Sequence, residues 1–476
     1  MSGLRERLGR LRGPAAASAT PPPPPEAGGE WAQLGAHIAT SPGGSFVMRR
    51  RVYGADSVHG KYRLSDLADV APQLSSFHEH DAVVRAEELL FFDTETTGLG
   101  VGAGNVPFMV GIGYYEDEQF IVEQLFIRNP AEEQAMLLYL QALLGRFTHI
   151  VSYNGRTFDW PILKNRFVLN RLALEDAELL QLDLLYSARS LWRNSLPSCR
   201  LSKVEEARLG FERVDDVPGS MAPALYFLYL AEKDPSVLKG VFVHNEHDIV
   251  TLAALAIHFG RLLTPANEDS MDEEYCSDVE TDEGGFGAEE LHQLDLEELY
   301  RTGVWLDKMD RIAKAERYFD RLYTRLLDEV PDRPPADREI AAMQLADWYK
   351  KRGRYSRAVE LWKTAILLKP SSISSQLEPY LELAMYYEHK EKNLELAVFY
   401  TEEAWAKLWR RRALQRADRK FSELEDAWEK RLNRLQDKIR KKKSTHAPKE
   451  TVKQVAVRTK PNKKLERPSY VAESLI

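Results

Sequence analysis

Leu89-Leu90-Phe91-Phe92-Asp93-Thr94-Glu95-Thr96-Thr97-Gly98-Leu99 sets two carboxylates into an otherwise apolar run. The run reads as a strand, and residues two apart in a strand share a face, so Asp93 and Glu95 converge on one point. Two anions held that close repel each other unless a cation lies between them. Hard oxygen donors suit Mg²⁺ or Mn²⁺ better than zinc. The plainer alternative is an edge strand that turns into a polar loop.

Two segments further along offer carboxylates of the same kind. The apolar strand His149-Ile150-Val151-Ser152-Tyr153 leads into Asn154-Gly155-Arg156-Thr157-Phe158-Asp159-Trp160. Asn-Gly marks a turn, and Asp159 opens a run with helical spacing through Ile162, Leu163 and Phe167. Taken alone, Asp159 reads most simply as a helix N-cap. The segment Val241 to Leu255 reads as a helix that carries His244 and Asp248 four apart, on one face. A lone histidine on a helix is usually a solvated or capping residue.

As an ordered set, Asp-x-Glu ending a strand, Asn-x3-Phe-Asp, and His-x3-Asp on a helix resemble the three motifs of the DEDD exonuclease superfamily. More narrowly, the stretch from about Glu88 to Leu255, including Leu201-Ser202-Lys203-Val204-Glu205 and Asp216-Val217-Pro218-Gly219, looks like the YprB-type ribonuclease-H-like exonuclease domain. The resemblance implies an α/β mixed sheet with flanking helices. It also implies two divalent ions, Mg²⁺ or Mn²⁺, held by Asp93, Glu95, Asp159 and Asp248, and phosphodiester hydrolysis from the 3′ end of a nucleic acid, single-stranded by expectation. His244 would be the catalytic base or a residue that orients water. In related exonucleases the last motif is Tyr-x3-Asp or His-x4-Asp, so His244 has the histidine of one group at the spacing of the other. His247 lies about 100° round the helix and is a poorer candidate. Asp183 is read as structural.

At 476 residues the chain is long enough for two or three domains. No apolar run approaches the roughly eighteen residues needed to span a bilayer. The charged start, Met1-Ser2-Gly3-Leu4-Arg5, lacks the apolar core of a signal peptide, so a cytoplasmic location and no membrane partner are expected. Cys199 and Cys276 alone provide neither a disulfide framework nor a Cys-based zinc site. The net charge of −8 argues against a DNA-coating protein.

The expected organisation begins with a disordered segment at 1–30, which holds a run of five prolines, and a lead-in region at 31–85. The ribonuclease-H-like domain follows at 86–264, then an acidic linker at 265–290. Residues 291–430 read as an all-α domain of helical repeats, and 431–476 as a basic tail that could attract phosphate. Within the repeats, Leu345 to Ala365 resembles a tetratricopeptide repeat. Ala346, Ala358 and Ala365 let two helices approach, and Tyr349 and Trp362 fill the space between them. A looser copy runs through Ala384, Tyr387, Ala397 and Ala404. Such repeats would offer a surface to a protein partner, and a plain helical bundle is the alternative. The rival function is a scaffold that keeps the nuclease fold without catalysis and binds partners through the repeats.

Overall fold

The computed structural model describes residues 29–78, 83–98, 104–265, 291, 293–328, 335–368, 373–412 and 419–446. The expected N-terminal segment except its last two residues, the acidic linker from residue 266, and the basic tail beyond 446 therefore lie outside the described residues. The chain divides into two compact units, Met1–Lys369 and Pro370–Ile476.

The first unit is built on a seven-stranded sheet. Its strands are β1 (Ala36–Ser41), β2 (Gly44–Tyr53), β3 (Leu89–Thr96), β4 (Pro107–Glu116), β5 (Gln119–Phe126), β6 (His149–Ser152) and β7 (Leu180–Asp183). They lie in the order β1-β2-β5-β4-β3-β6-β7. The pairs from β1 to β3 are antiparallel, whereas β6 and β7 add parallel to β3. This is the mixed sheet expected.

Helices cover both faces, which is why β3 is apolar along most of its length rather than alternating. The long helix α5 (Lys239–Leu263) packs on the face of Phe91, Asp93 and Glu95. On the other face Phe92 meets Trp160 of α2 (Asp159–Leu169), and Phe108 stacks on Tyr226 of α4 (Ala222–Glu232), with ring centroids 4.3 Å apart. Helices α1 (Glu133–Leu144) and α3 (Leu184–Trp192) complete the first layer of helices.

One expectation changes at this sheet. The segment 31–85 is no mere lead-in, because β1 and β2 extend the central sheet, with Arg49 opposite Gln124 in the β2–β5 register. Their turn is Pro42-Gly43, and their apolar groups are too short and irregular to stand out without the sheet they join. The short strand β7 closes this edge of the sheet by pairing parallel with β6.

The helices α6 (Leu296–Lys308), α7 (Ile312–Leu327), α8 (Pro335–Lys351) and α9 (Tyr355–Leu367) belong to the same unit as the sheet. Contacts explain why the expected boundary at 291 does not separate them. Trp192 Nε1 of α3 donates to Glu298 of α6 at 2.8 Å, Phe259 of α5 packs on Trp305 with centroids 5.6 Å apart, and the Lys314 ammonium donates to the carbonyls of Arg261 and Thr264.

The second unit holds α10 (Ile373–His389), α11 (Leu394–Arg412) and α12 (Arg419–His446). The expected basic tail begins inside α12, where Arg431, Arg434 and Lys438 converge on the buried Glu388 of α10. No helix among the described residues is long and apolar enough to cross a membrane.

Candidate metal centre

The carboxylates meet at the C-terminal end of β3. Asp93 and Glu95 share the face that α5 covers, and the pairing of β3 with β4 shifts register between Glu95 and Thr96, right at the site. Gly111 and Gly113 of β4 let α5 approach closely. A Cβ at 111 would stand 2.3 Å from Asn245 Oδ1, and one at 113 would stand 2.5 Å from Ile249 Cγ2. The strand period of two on β4 thereby meets the helix period of four on α5. That fit lowers the α5 face carrying His244 and Asp248 onto the site.

Glu95, His244 and Asp248 bring ligand atoms within 4.8 Å of one another. Asp93 and Asp159 stand beside this group and act on it through charge. Burial pushes the Asp93 carboxyl well above the usual range, and Asp248, Asp159 and Glu95 push it further. Burial likewise raises Glu95, with Asp248, Asp159 and Asp216 adding to it. Asp159 rises to about 6, chiefly through burial, although Thr94 Oγ1 donates a hydrogen bond to it. Asp159 is no N-cap: it is the first residue of α2, with Phe158 before it. Its contact with Thr94 brings it to the site from the opposite face of β3.

His244 is held by the Asp216-Val217-Pro218-Gly219 segment. Its Nδ1 lies 2.9 Å from both Asp216 oxygens, and its Nε2 lies 3.5 Å from Asp248 Oδ2. A carboxylate only accepts, so the Asp216 contact places a hydrogen on Nδ1, and Nε2 is the nitrogen turned toward Asp248. Gly219 leaves room there, since a Cβ would sit 3.0 Å from Nε2. His247 is absent from this cluster and packs edge-on against Phe211.

Arg213, buried to 5% exposure, links the cluster to the core. It donates to Asp248 Oδ1 at 2.6 Å, to Glu205 at 2.8 Å and to Asp216 at 3.3 Å. Burial opposes its charge, but Glu205 and Asp248 outweigh that and raise its pKa. Asp183 accepts from the backbone N–H groups of Asn154, Arg156 and Leu185, and so ties the Asn154-Gly155 turn to the start of α3. Sequence reasoning assigned no role to Arg213, Asp216, Glu205 or Asn245. Asp216 and Glu205 lay inside quoted motifs, and the glycine pair in an apolar strand was a usable sign of close helix approach.

The donor set fits a hard divalent cation. Glu95, His244 and Asp248, with Asp93 and Asp159 beside them, include no thiolate, and burial disfavours the charged forms of Asp93, Glu95 and Asp159 unless a cation offsets it.

The RNase_H superfamily matches this chain over residues 90–259. The chain is also 31% identical over 382 residues, 79% of its length, to the uncharacterized protein YprB of Bacillus subtilis (strain 168), 84% of which is covered.

Proposed function

The chain belongs to the family of YprB and carries an RNase_H superfamily domain, and from that premise we propose that it is a metal-dependent exonuclease of the DEDD type, hydrolysing nucleic acid from the 3′ end. The observation that carries the proposal is the convergence of the buried Glu95 and Asp159 with the half-buried Asp93 and Asp248 at one strand end. A scaffold has no need of such a cluster, because buried like charges cost several kcal/mol in order of magnitude.

Asp93, Glu95, Asp159 and Asp248 would hold two Mg²⁺ or Mn²⁺ ions. The chemistry such ions supply when bound is charge stabilisation at the phosphoryl group and a lower pKa for the attacking water. His244 Nε2 would take the proton of that water, with Nδ1–H held on Asp216 so that the imidazolium formed is stabilised. Arg213 occupies one oxygen of Asp248 and leaves the other for the cation. The hairpins α6–α7 and α8–α9 of the first unit, and α10–α11 of the second, are read as tetratricopeptide-like repeats, each offering its own surface to a protein partner.

The test is incubation of full-length protein with end-labelled single- and double-stranded DNA and RNA in Mg²⁺, Mn²⁺ or EDTA. Shortening from the 3′ end that EDTA stops, and that Asp93→Ala largely abolishes, is expected. Parental activity in Asp93→Ala would refute the assignment.

A further inference from the structure

Across four neighbouring strands, Arg49, Gln124, Gly111 and Asp93 are register partners, so their side-chain positions form one row over the sheet. Gly111 leaves a gap in that row. Asn245 of α5 fills it, wholly buried, where a Cβ at 111 would collide with its amide. The row then closes as a chain of hydrogen bonds. Arg49 Nη1 donates to Gln124 Oε1 at 2.7 Å, Gln124 Nε2 donates to Asn245 Oδ1 at 3.0 Å, and Asn245 Nδ2 donates to Asp93 Oδ2 at 2.9 Å.

The direction of both amides follows from groups that cannot change role. A guanidinium only donates, so Gln124 must turn its oxygen toward Arg49. Gln124 Nε2 also donates to the carbonyl of Phe242 at 2.7 Å, which only accepts. The remaining N–H of Gln124 therefore faces Asn245 Oδ1, and Asn245 must turn its N–H toward Asp93. A flipped Asn245 would set oxygen against carboxylate at one end and N–H against N–H at the other. Glu246, next along α5, anchors the far end by accepting from Arg49 at 2.5 Å and from Tyr53 at 2.6 Å.

We propose that this buried row makes Asn245 the positioning residue for Asp93, committing Oδ2 to a neutral N–H and leaving Oδ1 for a divalent cation. The inference rests on the metal-site reading. A neutral donor suits that task, because it orients the carboxylate and favours its charged form without adding a positive charge that would compete with the cation.

The test is calorimetric titration of full-length protein with Mn²⁺ in the absence of nucleic acid, together with kcat and KM on an end-labelled oligonucleotide. Asn245→Leu, close in size but without a donor, should weaken Mn²⁺ binding by about 10–100-fold and lower kcat with little change in KM. Gln124→Glu still accepts from Arg49 but offers no N–H, so Asn245 should reverse and the same loss should appear; this variant decides if Asn245→Leu does not fold. Parental Mn²⁺ affinity in both variants would overturn the proposal, and loss in Asn245→Leu alone would overturn the relay through Gln124. Asp93→Ala serves as reference. Undiminished Mn²⁺ binding there would defeat the metal-site reading itself, whereas weakened binding there with parental binding in the other two defeats only the positioning role.

Discussion

At the scale of single residues, the site stores electrostatic strain that a cation would relieve. Asp159 rises from its ordinary 3.8 to about 6, so the folded chain holds that proton more tightly than the unfolded chain does. Its contribution to stability is full below pH 3.8 and lost as pH rises through about 6. Metal-free parent protein should therefore lose thermal stability over that window, Asp159→Asn should lose less, and saturating Mn²⁺ should restore the parent more than the variant. Melting curves from pH 4 to 7 with and without Mn²⁺ check this. For His244, the Asp216 contact implies that Nε2 is the working atom. Replacement by Ala should cost about 10²–10⁴-fold in turnover while Mn²⁺ still binds. His247→Ala, outside the cluster, should stay near the parent; an equal loss there would show that the wrong face of α5 has been assigned to the site.

At the scale of elements, the approach of α5 to β4 determines whether the candidate side chains of β3 and α5 meet at all. Gly113 is the test position, since a Cβ there would stand 2.5 Å from Ile249 Cγ2 and 2.7 Å from Phe120 Cζ. Gly113→Ala should destabilise by about 1–3 kcal/mol through overpacking, and Ile249→Ala in the same chain should recover part of it. Urea melts of Gly113→Ala, Ile249→Ala and the double variant read the coupling. Additive losses would mean that helix and strand are not held at this contact. The candidate acids were legible in the sequence because each lies in a local pattern of strand or helix. Arg213 was not, because its two shortest contacts, to Asp248 and Glu205, reach 35 and 8 residues along the chain, and only Asp216 lies near it in sequence.

At the scale of the whole molecule, the second unit depends on part of what reads as a basic tail. Glu388, with its side chain 1% exposed, is held below its usual range: burial pushes it up, but hydrogen bonds from Lys438 and Arg434 outweigh that. Truncation after Trp428 removes Arg431, Arg434 and Lys438 together and should destabilise that unit by about 3–5 kcal/mol, as an unpaired buried charge does. Truncation after His446 spares these contacts and isolates the remaining basic stretch. If that stretch binds phosphate, the shorter protein should lose affinity for nucleic acid more at low salt than at high salt. Equal affinity of the two proteins at low salt would assign it no such role.

The sequence by itself determined the class of fold and marked the candidate acids. Strand and helix periods are local, and a carboxylate pair in an apolar strand points to a cation wherever the rest of the chain goes. Tertiary structure alone decided how the candidate side chains are oriented. Asp216 grips His244, Arg213 takes one oxygen of Asp248, and Asn245 enters the gap at Gly111. These contacts join residues up to 152 positions apart, as from Asn245 to Asp93. It also decided that β1 and β2 belong to the sheet, because an added strand is stabilised by the ladder it joins rather than by its own short apolar groups.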